Sequence, residues 1–197
     1  MKTVVFKNSL RSYALSILLG LAAGLAVAFF SRFPADDLWG LAYFSSGTFG
    51  FWIFTCSLIA LFSERHFAAG IHTALYVFFM FYVTGVFKDL VIVQKGYQSM
   101  SYFWNGLLSN LLYGLLPALA CFALAFMLWY GRMKHPLSAV LRWMPAVCIA
   151  AEEILSIRVT VTRKQGLFTV LLDAVCLILY IGIMAVQMKK QRAVQAF

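Results

Sequence analysis

Charge is what this sequence has least of. Of 197 residues only 12% are charged, and just seven are Asp or Glu. Soluble domains carry about 25% charged and about 45–50% apolar residues. Here 63% are hydrophobic and the mean hydropathy is +0.86. A chain this short cannot bury that much apolar surface in a water-soluble core. Soluble enzymes, nucleic-acid binders and disordered chains are thereby excluded. Proline is scarce, and no repeat, low-complexity tract or linker interrupts the chain, so 1–197 reads as one domain. Cys56, Cys121, Cys148 and Cys176 lie inside apolar runs, with no CxxC and no metal-ligand spacing, and read as small packing residues. The three histidines, His66, His72 and His135, have no convergent ligands in the sequence. No haem, zinc or other cofactor is expected.

What the chain does have is a series of nearly uncharged apolar runs. A hydrocarbon core about 30 Å thick needs about 20 residues of helix. Runs at 13–30, 38–62, 67–87, 106–130, 136–157 and 167–188 therefore predict an all-α integral membrane protein, a bundle of six transmembrane helices. The first run follows Lys2, Lys7 and Arg11, and Ala26-Val27-Ala28 mimics a signal-peptidase site. Its length nevertheless favours a retained helix. The net charge is +9. With the N-terminus inside, ten Lys and Arg fall on the cytoplasmic side and six outside. Both termini are thus expected in the cytoplasm of a plasma-membrane protein. The last outer loop breaks the trend with Arg158, Arg163 and Lys164, and Val159-Thr160-Val161-Thr162 alternates like a short extended lip. Gly166 punctuates the chain before the sixth run.

Ionisable groups inside spans cost on the order of 2.5–3.5 kcal/mol each on the insertion scale, so each needs a reason. At about 1.5 Å per residue, Glu152 and Asp173 both fall in the outer third of the bilayer, on sequential helices. Residues three and four apart share a helix face. Thr169, Asp173, Cys176 and Tyr180 form one polar stripe, and Cys148, Glu152 and Ser156 another. Glu153 shares its face with Ile149 and Ile157 and is the weaker candidate. Asn105, Ser109 and Tyr113 align on the fourth span, and Tyr76, Met80, Thr84 and Lys88 on the third. The four stripes predict one outward-facing cavity. In it Glu152 and Asp173 bind a cationic group or proton, Asn105 and Tyr113 orient the solute, and Lys88 or Arg158 meets an anionic part. The alternative is that the carboxylates pair with Arg158, Arg163 or Lys88 and lock the bundle. Aromatics such as Trp39, Tyr43, Trp104, Trp129 and Trp143 mark the two boundaries as a belt, with Trp104 a candidate wall of the ligand site. On the first helix Gly20, Gly24 and Ala28 make a small-residue face, for packing within the bundle or for a membrane partner or second copy.

Enzyme motifs fail on inspection. Glu152-Glu153 followed by Arg158 resembles the paired-glutamate motif of CAAX-protease-like membrane proteins, but the Arg comes one residue late and no His lies downstream. In size and outline the chain is similar to the substrate-binding membrane subunits of energy-coupling-factor vitamin transporters. That likeness implies a small-solute-binding subunit of a larger transporter. The competing expectation is a non-catalytic scaffold or regulatory subunit, which needs no pocket.

Overall fold

The computed structural model describes residues 4–34, 49–133 and 136–195. Trp39, Tyr43, His135 and the first part of the second apolar run lie outside the described residues. Among the described residues six α-helices follow one another: α1 (Leu10–Phe30), α2 (Phe49–Phe62), α3 (His66–Gln94), α4 (Met100–Trp129), α5 (Ser138–Arg163) and α6 (Leu167–Gln195). A 3-10 turn, Tyr130–Arg132, extends α4. Among the described residues there is no strand, only an isolated bridge between Phe6 and Ser63.

Four of these helices are long and apolar enough to cross a bilayer: α1, α3, α4 with its 3-10 extension, and α6. This is the architecture of an integral membrane protein. The described part of α2 is apolar but only 14 residues long. Helix α5 has 26 residues, about 39 Å at 1.5 Å per residue. Arg142, Glu152, Glu153, Arg158 and Arg163 make it the least apolar of the six.

The expected lip after the fifth run is corrected. Helix α5 continues through Val159-Thr160-Val161-Thr162 to Arg163, because a threonine hydroxyl can bond back into the preceding turn and tolerate helix. Thr162 Oγ1 donates to the Arg158 carbonyl at 2.8 Å. The chain reverses just beyond, at Lys164 with φ 53° and Gly166 with φ 80°. The helices also outrun several apolar runs: α3 passes Lys88 and Asp89, and α4 starts before 106.

Helix α3 packs closely against α4 on one side and α1 on the other, while α2 touches α3, α4, α5 and α6. The α1–α3 approach depends on glycine. A Cβ at Gly20 would stand 2.4 Å from the Tyr76 carbonyl oxygen, and one at Gly24 2.6 Å from that of Met80. Thr84 Oγ1 crosses the same seam to the Gly24 carbonyl at 3.1 Å, and Ala28 is buried. Gly20 and Gly24 therefore form a packing face inside the chain that α3 covers.

Candidate functional site

The stripe expected on α6 points inward. Thr169, Asp173, Cys176 and Tyr180 are all buried, with Asp173 0% exposed. Their spacing sets them on one side of the helix, and α6 packs on α5 and α2. Space for the Asp173 carboxyl comes from Gly50 at the described start of α2. A Cβ there would stand 2.2 Å from Asp173 Oδ1. The backbone N–H of Phe51 is turned toward the carboxyl group, but among the described residues no side chain bonds either oxygen. Thr169 Oγ1 and Glu153 Oε2 are buried and likewise without a hydrogen-bond partner among the described residues.

Glu152 and Glu153, both half-buried on α5, lie near enough for their charges to act on Asp173. Glu152 and Asp173, the two carboxylates expected at similar depth, thus share one neighbourhood. Glu153 joins them, although its apolar helix face makes it the weaker candidate by spacing alone. That face is the bundle-facing one: Ile149, one turn before Glu153, is 0% exposed. On a membrane helix an apolar face can point to lipid or to the core, and sequence spacing does not distinguish the two.

An ionised carboxylate without a partner costs several kcal/mol in such a place, even after local relaxation. No Arg or Lys among the described residues pairs with Asp173, Arg158 included. Chemically the cluster can take up a proton or the cationic group of a solute. Among the described residues no three His, Cys, Asp or Glu side chains are placed to hold a metal ion.

The other expected site residues are elsewhere. Asn105, Ser109 and Tyr113 are exposed on α4, which packs on α3 and α2 and barely meets α5. Trp104 is 61% exposed, with Phe103 as its ring neighbour. Lys88 and Arg158 are exposed. Tyr76, Met80 and Thr84 are buried beneath α1. The four stripes therefore do not converge on one cavity; those of α3, α5 and α6 serve helix packing or the acidic cluster, and the α4 stripe faces outward. Between α3 and α4 a different polar pair is found. Asn110 Nδ2 donates to Asp89 Oδ2 at 2.7 Å, in space left by Gly85 and Gly106. The glycines opposite each polar group are its only signal in the sequence.

A second buried polar centre lies at the other end of the bundle. His72 on α3 is 0% exposed. Its Nε2–H donates to the Lys7 carbonyl at 3.1 Å, and its Nδ1 meets Ser16 Oγ of α1 at 2.8 Å. Tyr13 stacks on the ring at 4.5 Å and Phe6 leans against it at 5.4 Å. The N-terminal segment is pinned there: Phe6 N–H donates to the Phe62 carbonyl, Glu64 N–H to the Phe6 carbonyl, and Asn8 N–H to Glu64 Oε2. Trp129 Nε1–H and Arg132 both donate to the Ser63 carbonyl beside it. His72 is a satisfied core histidine that ties the segment before α1 to the α2–α3 connection. Comparison with protein-family models, curated proteins and solved structures yields no match.

Proposed function

We propose that the chain is a six-pass membrane protein, its termini on the cytoplasmic side of the plasma membrane, that binds or transports a small solute. The acidic cluster of α5 and α6 supplies the group that neutralises it. Glu152 and Glu153 stand at the half-buried rim and meet a cationic part of the solute, while Asp173 lies behind them and takes up a proton or shares that cation. The observation that carries this reading is Asp173: fully buried beside two further carboxylates, with no basic side chain paired to it among the described residues. Ionisable groups inside membrane domains are costly and characteristically mark ion, proton or ligand pathways. A substrate-binding role within a larger transporter fits the same arrangement.

The test is solute occupancy and melting temperature measured on the same purified variants. Native mass spectrometry of the wild type is expected to find a bound cationic solute. Glu152→Gln and Asp173→Asn are expected to lose it while melting where the wild type does. Early melting of both amides, with no separate loss of solute, would show that the cluster only holds the bundle together. Topology is tested separately, by outside labelling of single cysteines: one at Gln98 should react and one at Gln195 should not.

A further inference from the structure

Cysteines far apart in the sequence are brought together where α2 packs on α4. The thiols of Cys56 on α2 and Cys121 on α4 are hydrogen-bonded to each other, and both are free and half-buried. The register of the two helices places them there. Their C-terminal ends are tied, since Trp129 Nε1–H donates to the Ser63 carbonyl at 3.0 Å. Counting back from that tie, Cys56 stands seven residues before Ser63 and Cys121 eight before Trp129. Both sulfurs therefore lie about 10–12 Å from it, at about 1.5 Å per residue.

The residues one turn on repeat the match. Cys121 follows Cys56 at the same interval as Ala125 follows Ala60, and Ala60 and Ala125 are buried in one cluster. Residues four apart share a helix face, so Cys56 and Ala60 make a small-residue edge on α2 and Cys121 and Ala125 its counterpart on α4. Ala118, also buried, continues the α4 edge. Small side chains let two helices approach closely, and two thiols in contact across such a seam can join without a large shift of either helix. Neither thiol belongs to the acidic cluster.

We propose that Cys56 and Cys121 are a redox-active dithiol, which a lipid-soluble quinone closes into a disulfide that bolts α2 to α4. The Sγ–Sγ bond forms as both S–H bonds break. The two protons and two electrons pass to the quinone, which leaves as the hydroquinone. The depth of the pair selects this class of oxidant, because a charged, water-borne reagent does not reach sulfur inside the hydrocarbon. The bond has a mechanical consequence. Helices α1, α3 and α4 pack on one another, α5 and α6 pack together, and α4 barely meets α5. Helix α2 touches both groups, so a covalent link from α2 to α4 fixes one group against the other.

The probe is tetramethylbenzoquinone, whose ring has no open position for a thiol to add to. It is given to the full-length protein in lipid vesicles, the protein is denatured, and the remaining thiols are alkylated with N-ethylmaleimide. Peptide mass spectrometry is expected to show that Cys56 and Cys121 lose their alkylation and appear as one linked peptide pair, lighter by two hydrogen atoms. Cys148 and Cys176 should stay alkylated, and the neutral reductant dithiothreitol should restore all four. A crosslink restricts the unfolded chain, so oxidation should raise the melting temperature of the wild type and leave that of Cys56→Ser where it was. Full alkylation of all four cysteines after the quinone would overturn the proposal. So would a disulfide that uses Cys148 or Cys176, within one chain or between two, in place of the expected pair. A Cys56–Cys121 link that leaves the melting temperature unchanged would overturn the bolt. If Cys56→Ser fails to fold, Cys121→Ala serves as the variant without the link.

Discussion

His72 and Asp173 are equally buried, each 0% exposed, in the same small bundle. Around His72 both ring nitrogens have partners drawn from two other segments, Lys7 and Ser16, and two aromatic rings enclose it. Around Asp173 the described parts of the neighbouring helices supply a glycine, the Phe51 backbone and two further carboxylates, and no side chain of opposite charge. The difference separates two uses of a buried polar group. One is saturated by its own chain and holds the N-terminal segment to the helices. The other has no countercharge among the described residues, at a cost of several kcal/mol if it is charged.

The largest expected effect is at the saturated centre. His72→Ala removes both hydrogen bonds and the ring between Tyr13 and Phe6, and should cost about 3–5 kcal/mol. Thermal unfolding in detergent reads the loss, and limited proteolysis should cut the segment before α1. An unchanged melting temperature would show that the His72 network contributes nothing and would dissolve the contrast. Next comes Gly24→Leu, which drives a side chain into the Met80 carbonyl and displaces the Thr84 bond. Overpacking of this kind costs about 1–3 kcal/mol, and crosslinks engineered between α1 and α3 should lose yield.

Asp173→Asn sharpens the comparison from the other side. The amide keeps an oxygen for the Phe51 backbone and breaks no ion pair among the described residues, so its melting temperature should match the wild type, within about 0.5 kcal/mol of stability, while bound solute disappears. A fall as large as that of His72→Ala would place the two centres in the same class and remove the ground for the proposed function. The smallest effects are expected at Asn105→Ala and Arg158→Ala. Both side chains are exposed, so stability should stay within about 0.5 kcal/mol, and Asn105→Ala should leave solute occupancy unchanged. Loss of solute in Asn105→Ala would mean that the α4 stripe reaches the acidic cluster in another state of the protein.

Much of this molecule is legible in the amino-acid sequence, because apolar run length and helical spacing are local properties. The membrane class, the helices of 13–30 and 167–188, the stripe through Asp173 and the small-residue seam on α1 all follow from residues within a few turns of each other. The lip expected at 159–162 gives way to helix for a local reason as well. Four alternating residues fit either a strand or a helix end, and the Thr162 back-bond favours the helix. Spacing places Glu153 below Glu152 for a different reason, since apolarity on a membrane helix is equally suited to lipid and to core.

Composition and periodicity suffice to make the chain a membrane-embedded set of helices and to mark Glu152 and Asp173 as residues that need an explanation. Which polar groups are saturated is settled only when the helices dock. Whether Lys7 reaches His72, whether α3 covers Gly20 and Gly24, and whether Gly50 makes room for Asp173 all depend on contacts between segments distant in sequence. Hydrogen bonding and close packing act over a few ångströms, and neighbours at that range are set by how the helices meet, which no single helix encodes.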